Sequence, residues 1–349
     1  MKKFAVILPS AEKQGAIADD KISILFRSAD EILTDLLGKA GIEVINETDY
    51  VSGEVLCVTP RVSNINAEAL LKTYDEFCAS GKDGLSFADG NLVWKKSLSA
   101  DAVSAGDTLS PIYSARDLLS AEKKAAEEVI ESLLDKGVIF RSTDGVMISP
   151  DAIVESGAEI LGGTIIKGKS HIASGAVIGP NSLIDRSVIG EDSRINASHV
   201  LESTVGKKVD IGPFSQVRPN TNISDKVHIG DFVELKNSNI GEGTCVSHLT
   251  YIGDSDVGKH VNFGCGVVTV NYNGETKNRC TVGDYAFIGC NTNLVAPVKV
   301  GSGAYTAAGS TITDDLPDGA LGIARSRQTN KEEWAKKKLE AYIQKKNNA

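Results

Sequence analysis

The chain has no excess of basic residues: 37 Lys and Arg stand against 46 Asp and Glu, for a net charge of −9. That excludes a protein built around a basic face for nucleic acid. It does not exclude an anionic small ligand, because a local cluster of Lys and Arg can still hold a phosphate. No apolar run is long enough to cross a bilayer, so no membrane partner is expected. The opening MKKFAVILPSAEKQ has a short apolar run with no small-residue cleavage site after it, and reads as a first strand and not a leader. The six cysteines, Cys57, Cys78, Cys245, Cys265, Cys280 and Cys290, show no CxxC pair and no dense spacing. In 349 residues that favours free thiols in a reducing compartment, with the cytoplasm as the default. His171, His199, His228 and His260 are scattered without paired spacing beside carboxylates or thiols, so no metal site is expected.

What the chain does have is a repeat. Ile148, Val154, Ile160, Ile166, Ile172, Ile178 and Ile184 keep a six-residue register, and single-residue slips reset the phase near Ile189, Val205, Ile240 and Val257. Val205, Ile211, Val217, Ile223, Ile229 and Leu235 form a second unbroken series, and Val282, Ile288, Leu294 and Val300 a third. A period of six fits neither an α-helix nor a plain alternating strand. Eighteen residues make three short strands and one triangular coil, so Ile148 to Ile312 implies roughly nine coils. One polar insertion, around Asn271 to Cys280, breaks the pattern.

Before the repeat the signals change. Residues 3–8 read as a strand, and Ser28 with Glu31 forms a capping box for the helix ADEILTDLLGKA, which Gly41 ends. Strands at 42–45 and 54–59, a helix over 67–79 and a hairpin turning at Asp89-Gly90 follow, with 99–111 as a loop. Helical spacing from Ala115 to Lys136, stopped by Gly137, marks a bridge. The expected division is an α/β domain over 1–112, a linker helix over 113–137 and an all-β parallel β-helix over 138–349. A C-terminal helix opened by a Thr329–Glu332 capping box is expected to cap the last coil.

Chemistry-bearing residues collect near the interruption. In coils of about eighteen residues, Arg218 and Lys236 return to the same face one coil apart, as does the 251–254 stretch. Arg supplies a fork and Lys a point charge, so the pair suits a phosphate; two solvated surface cations is the plainer alternative. His248 is the histidine inside this cluster, alongside Glu234, Tyr251, Asn262, Asn271, Tyr272 and Lys277.

From about Ser120 to Lys338 the strings IGPFSQVRP, IGDFVELKNS, SHLTYIGD, VNFGCGVVTVNYNG, FIGCNTNLVAPV, TAAGSTIT and IARSRQTNKEEW occur in order. Here the chain resembles the C-terminal half of the bacterial bifunctional N-acetylglucosamine-1-phosphate uridyltransferase/glucosamine-1-phosphate acetyltransferase. The resemblance implies a left-handed β-helix, a homotrimer with sites shared between subunits, and acetyl transfer from acetyl-CoA to glucosamine-1-phosphate without a metal. It makes His248 the base, with Glu234 and Asn271 beside it. Arg218, Lys236, Tyr251, Asn262 and Lys277 would hold the sugar phosphate or its nucleotide product. Cys265, Asn271, Tyr272, Cys290, Ala308 and Arg325 would line the acetyl-CoA groove, with Cys265 and Cys290 as contacts only.

The first third departs from that family. ILPSAEKQGAIAD stands where a glycine-rich phosphate loop is expected, and Thr59-Pro60 where a Gly-Asp would bind Mg²⁺. A degenerate nucleotidyltransferase-like remnant without uridyltransferase activity is implied. Two further readings stay open: an acyltransferase on another amino-sugar phosphate or sugar nucleotide, and a non-catalytic trimeric binding module.

Overall fold

The computed structural model describes residues 3–11, 16–106 and 109–347. The N-terminal layer is a six-stranded sheet in the order Glu43–Val44, Lys3–Ile7, Glu54–Val58, Leu92–Lys95, Gly84–Phe87, Val103–Ser104. Lys3–Ile7 runs parallel to both its neighbours, and Leu92–Lys95 antiparallel to both of its own. Helix α1, Ala29–Lys39, begins at the expected capping box, and α2 spans Ala67–Ser80. They bury Leu33, Leu37, Leu70 and Phe77 against Leu56 and Trp94. The hairpin forms, but Phe87 pairs with Leu92 across four connecting residues, with Ala88, Asp89 and Gly90 all at positive φ, and not across a two-residue Asp-Gly turn. The expected loop at 99–111 contains the short strand Val103–Ser104. Residues 12–15, within the stretch that stands for the glycine-rich loop, lie outside the described residues.

Helix α3, Ala115–Asp135, adds Ala121 to a small cluster with Ile22, Ile24 and Leu25, and Leu133 to the core of the repeat region. It therefore links the two packing regions physically.

The repeat region is a parallel β-helix with three faces. The first face starts at Met147–Ile148 and ends at Thr311–Ile312; the second runs from Ile153–Val154 to Val298–Val300; the third from Ile139–Phe140 to Leu321–Gly322. Most of the two- to four-residue strands turn one aliphatic side chain to the axis and its neighbours outward, with Phe263, Thr269 and Thr306 taking that place in later coils. Ile160, Ile178, Ile195, Ile211 and Ile229 are fully buried on the third face alone. Removing such a side chain typically costs about 2–5 kcal/mol. A second buried column is hydroxylic: Ser203 Oγ donates to the carbonyl of Leu201 and accepts from the Thr221 amide one coil on. These small polar side chains satisfy corner backbone that no strand partner reaches.

Three expectations change. A further five-residue step occurs at Val200, between Ile195 and Val205. Helix α4 spans Lys336–Asn347, so the Thr329–Glu332 box does not open it. Nor does α4 cap the solenoid: it buries no residue, and Leu339, Tyr342 and Ile343 are exposed. The last coil is closed instead by Leu316 packed on the core and by Leu321–Gly322 paired with Tyr305–Thr306.

Candidate active site

The first face carries the cations. Gln216 pairs with Glu234 and Val217 with Leu235, so Arg218 lies one rung from Lys236, which in turn pairs with Gly253. Alternation sends Leu235 and Ile252 to the axis and leaves Glu234, Lys236 and Tyr251 outward. The insertion leaves the corner between the first and second faces. It folds back through a Tyr272–Lys277 antiparallel bridge, with the Asn273 carboxamide oxygen accepting from the Glu275 and Thr276 amides. Lys277 then stands beside Lys236. That neighbouring amine, followed by desolvation and the Arg218 charge, holds the Lys236 ammonium below the ordinary lysine range. Among the described residues neither Lys236 nor Lys277 has a carboxylate within ion-pair distance. The expected pair of cations is thus a cluster of three.

Glu234 does not reach His248. Its Oε1 accepts from Arg218 Nη1 at 2.7 Å, which aims the guanidinium along the face. Tyr251 lies along its own strand over Gly253. Asn271, 8% exposed, donates to Asp254 and, at 3.4 Å, to the Tyr251 hydroxyl. Asp254 also accepts from the Asn237 amide, so an Asn–Asp–Asn ladder fixes where the insertion begins.

His248 ends the third-face strand Cys245–His248, at the corner leading to the first face. Its backbone pairs with Asp231 one coil earlier, and its Nδ1 lies 2.7 Å from Asp231 Oδ1. Chiefly this hydrogen bond holds the Asp231 carboxyl below its usual range. An ionised carboxylate only accepts, so Nδ1 carries the proton, and in the neutral imidazole Nε2 is then the acceptor nitrogen. Asp231 was not among the expected site residues. The available signal was its place in HIGDF, 17 residues before His248, which is one coil.

The same corner continues upward. Gly266 donates to Leu249, Asn291 to Cys265 and Gly309 to Cys290, so His248, Cys265, Cys290 and Ala308 occupy successive rungs. At about 4.8 Å per rung they span about 14 Å. Cys265 is half-buried; Cys290, Ala308 and Arg325 are exposed, and Arg325 reaches the corner beside Gly309. Cys265, Cys290 and Ala308 put small side chains along that edge. Asn262 is not brought to the cations: it points outward on the third face, between Cys245 and Phe287. Tyr272 is exposed at the insertion tip, its hydroxyl donating to Gly274. Among the described residues no group of three or more His, Cys, Asp or Glu side chains could hold a metal ion, and no helix is long and apolar enough to cross a membrane.

Residues 279–314 match the bacterial transferase hexapeptide family (six repeats). With the three parallel faces, that repeat makes the fold the expected left-handed β-helix. The chain is 47% identical over 227 residues to the bifunctional protein GlmU of Clostridium acetobutylicum, covering 65% of this chain and 50% of that protein. It is 49% identical over 224 residues to GlmU of Caldanaerobacter subterraneus subsp. tengcongensis, covering 64% of this chain and 49% of the relative. Among solved structures, the UDP-N-acetylglucosamine acyltransferase of Francisella novicida aligns at 20% identity and a TM-score of 0.27 over 55% of this chain and 73% of its own, too loose a likeness to carry weight. The chain is thus a relative of the bifunctional GlmU proteins over 65% of its length, as its motifs imply, and spans about half the length of the relatives it matches.

Proposed function

We propose that the chain is an acetyl-CoA-dependent N-acetyltransferase converting glucosamine-1-phosphate to N-acetylglucosamine-1-phosphate, on the way to UDP-N-acetylglucosamine and cell-wall precursors. It acts in the cytoplasm as a homotrimer with shared sites, and its N-terminal domain, 1–112, has no uridyltransferase activity. One observation carries the assignment: Arg218, Lys236 and Lys277 crowd together with Glu234 as their one ion-pair partner among the described residues, and His248 stands at the corner that leads into the same face. The crowding that holds the Lys236 ammonium below its ordinary range is relieved by a bound dianion, and a phosphate monoester is one.

The cations hold the phosphate and so bring the 2-amino group to His248, a proximity effect. The neutral amine attacks the thioester carbonyl, the N–C bond forms as C–S breaks, and the amine proton passes to His248 Nε2. Both amide hydrogens of Asn271 are engaged, but its 3.4 Å bond to Tyr251 is weak enough to be exchanged for a bond to the developing oxyanion. Acetyl-CoA supplies the activated acyl group; Cys265, Cys290, Ala308 and Arg325 line its track.

Thiol release from acetyl-CoA with glucosamine-1-phosphate tests this directly. His248→Ala should slow it on the order of a hundredfold or more. An unchanged rate would refute the base assignment, and a panel of amino-sugar phosphates and sugar nucleotides identifies the acceptor. UDP-N-acetylglucosamine formed from UTP would overturn the assignment of residues 1–112.

A further inference from the structure

We infer that Asp231 is a positioning residue for His248, holding the imidazole as its Nδ1–H tautomer so that Nε2 faces the acceptor amine. The kinetic part of this inference rests on the acetyltransferase assignment; the tautomer does not. Carboxylates one coil below a histidine occur elsewhere on the solenoid. Glu155 Oε1 lies 2.7 Å from His171, but at Nε2, and Asp210 lies 3.3 Å from His228 Nδ1. Pairing alone therefore does not mark a functional dyad.

Three features set the Asp231 pair apart. Its contact is short and engages Nδ1, leaving free the nitrogen farther from the backbone. The Asp231 carbonyl also accepts from the Leu249 amide, so the residue is anchored at the corner where His248 ends its strand. That corner leads, on the same coil, into Tyr251 and the cation-bearing face, and, one rung on, to Cys265. The pair's side chains are 61% and 39% exposed, so solvent screens it too well for a large stabilising role. A base needs its other nitrogen fixed, and a neighbouring carboxylate does that without becoming protonated itself.

The test is ¹⁵N NMR of histidine-labelled full chain, at a pH about two units above the ordinary imidazole value. The His248 signal is assigned by its loss in His248→Gln. The parent should show a protonated Nδ1 and a bare Nε2. Asp231→Ala should release the preference for Nδ1–H, and Asp231→Asn, whose carboxamide NH2 can donate to Nδ1, should hold His248 in the Nε2–H form. In acetyl transfer, Asp231→Ala should lower kcat on the order of tenfold to a hundredfold with KM for the sugar phosphate little changed, Asp231→Asn should lower it at least as far, and Asp231→Glu, which keeps a carboxylate, should restore part of it. An Nε2–H parent, or the same spectrum in Asp231→Ala, overturns the inference. A tautomer shift in a parent without acetyl transfer upholds the positioning and refutes the reaction assigned above.

Discussion

A single added methyl group at Gly253 should disable the site while leaving the fold standing. Residues i and i+2 of a strand share a face, so the Tyr251 ring lies flat along its own strand only because Gly253 offers no side chain. A Cβ built there would sit 2.3 Å from Tyr251 Oη, 2.6 Å from its Cζ and 2.8 Å from Asn271 Nδ2. Reaching ordinary contact at 3.4 Å moves the tyrosine hydroxyl by about 1 Å and takes it off the Asn271 amide. Overpacking a closed core costs about 1–3 kcal/mol, but these neighbours are the ends of side chains. We therefore expect about 1 kcal/mol, seen as a Tm lowered by about 2–4 °C. Displacing site groups by about 1 Å has a larger effect on rate, of the order of a hundredfold, or about 2.7 kcal/mol in activation free energy. Steady-state acetyl transfer beside thermal unfolding of Gly253→Ala measures both. Full activity in a folded variant would show that Tyr251 and Asn271 do not act where the structure has them.

Two further outcomes rest on local electrostatics. Burial pushes the Cys280 thiol up to about 11 and raises that of Cys57, whereas Cys78 and Cys290 are exposed. Iodoacetamide at pH 8 should therefore label Cys78 and Cys290 first, acetyl-CoA should protect Cys290 and not Cys78, and Cys280 labelled as fast as Cys290 by mass spectrometry would refute the burial argument. Arg279 donates to both oxygens of Asp256 and to the carbonyls of Asn237 and Ser255. Arg279→Gln should cost about 1–2 kcal/mol at pH 7 in urea unfolding. Arg279 chiefly holds the Asp256 carboxyl below its ordinary 3.8, so that stabilisation is present above about pH 4 and lost as pH falls through the folded value. The gap between parent and variant should narrow as pH falls below about 4, leaving the share due to the two carbonyl contacts, and an undiminished gap would contradict the ionic account.

The inward aliphatic series was legible in the sequence because every coil imposes the same demand at the same spacing. The step at Val200 was missed because two consecutive five-residue steps look like one reset. Local signatures behaved differently according to what followed them. The Ser28–Glu31 box opens α1, whose Leu33 and Leu37 then bury, whereas Thr329 and Glu332 precede a tail that buries nothing. A capping motif only helps a helix that packing already favours. Arg218 over Lys236 could be read from coil length, but Glu234 turning to Arg218, and Asp231 to His248, depends on strand register. A partner one coil away leaves no trace among sequence neighbours.

The unequal ends of the solenoid set an order in which the molecule loses function. Stacked coils are held by their neighbours alone, so opening starts at an end and travels inward. At the N-terminal end α3 seals the first coils, while the last is covered by Leu316 and a two-residue strand. Arg325 and Ala308 sit at that thinner end, and Arg218 and Lys236 several rungs deeper. Gentle heating or low urea should therefore erase the grip on the acyl donor first. A half-frayed molecule would still hold sugar phosphate, and would hold it idle.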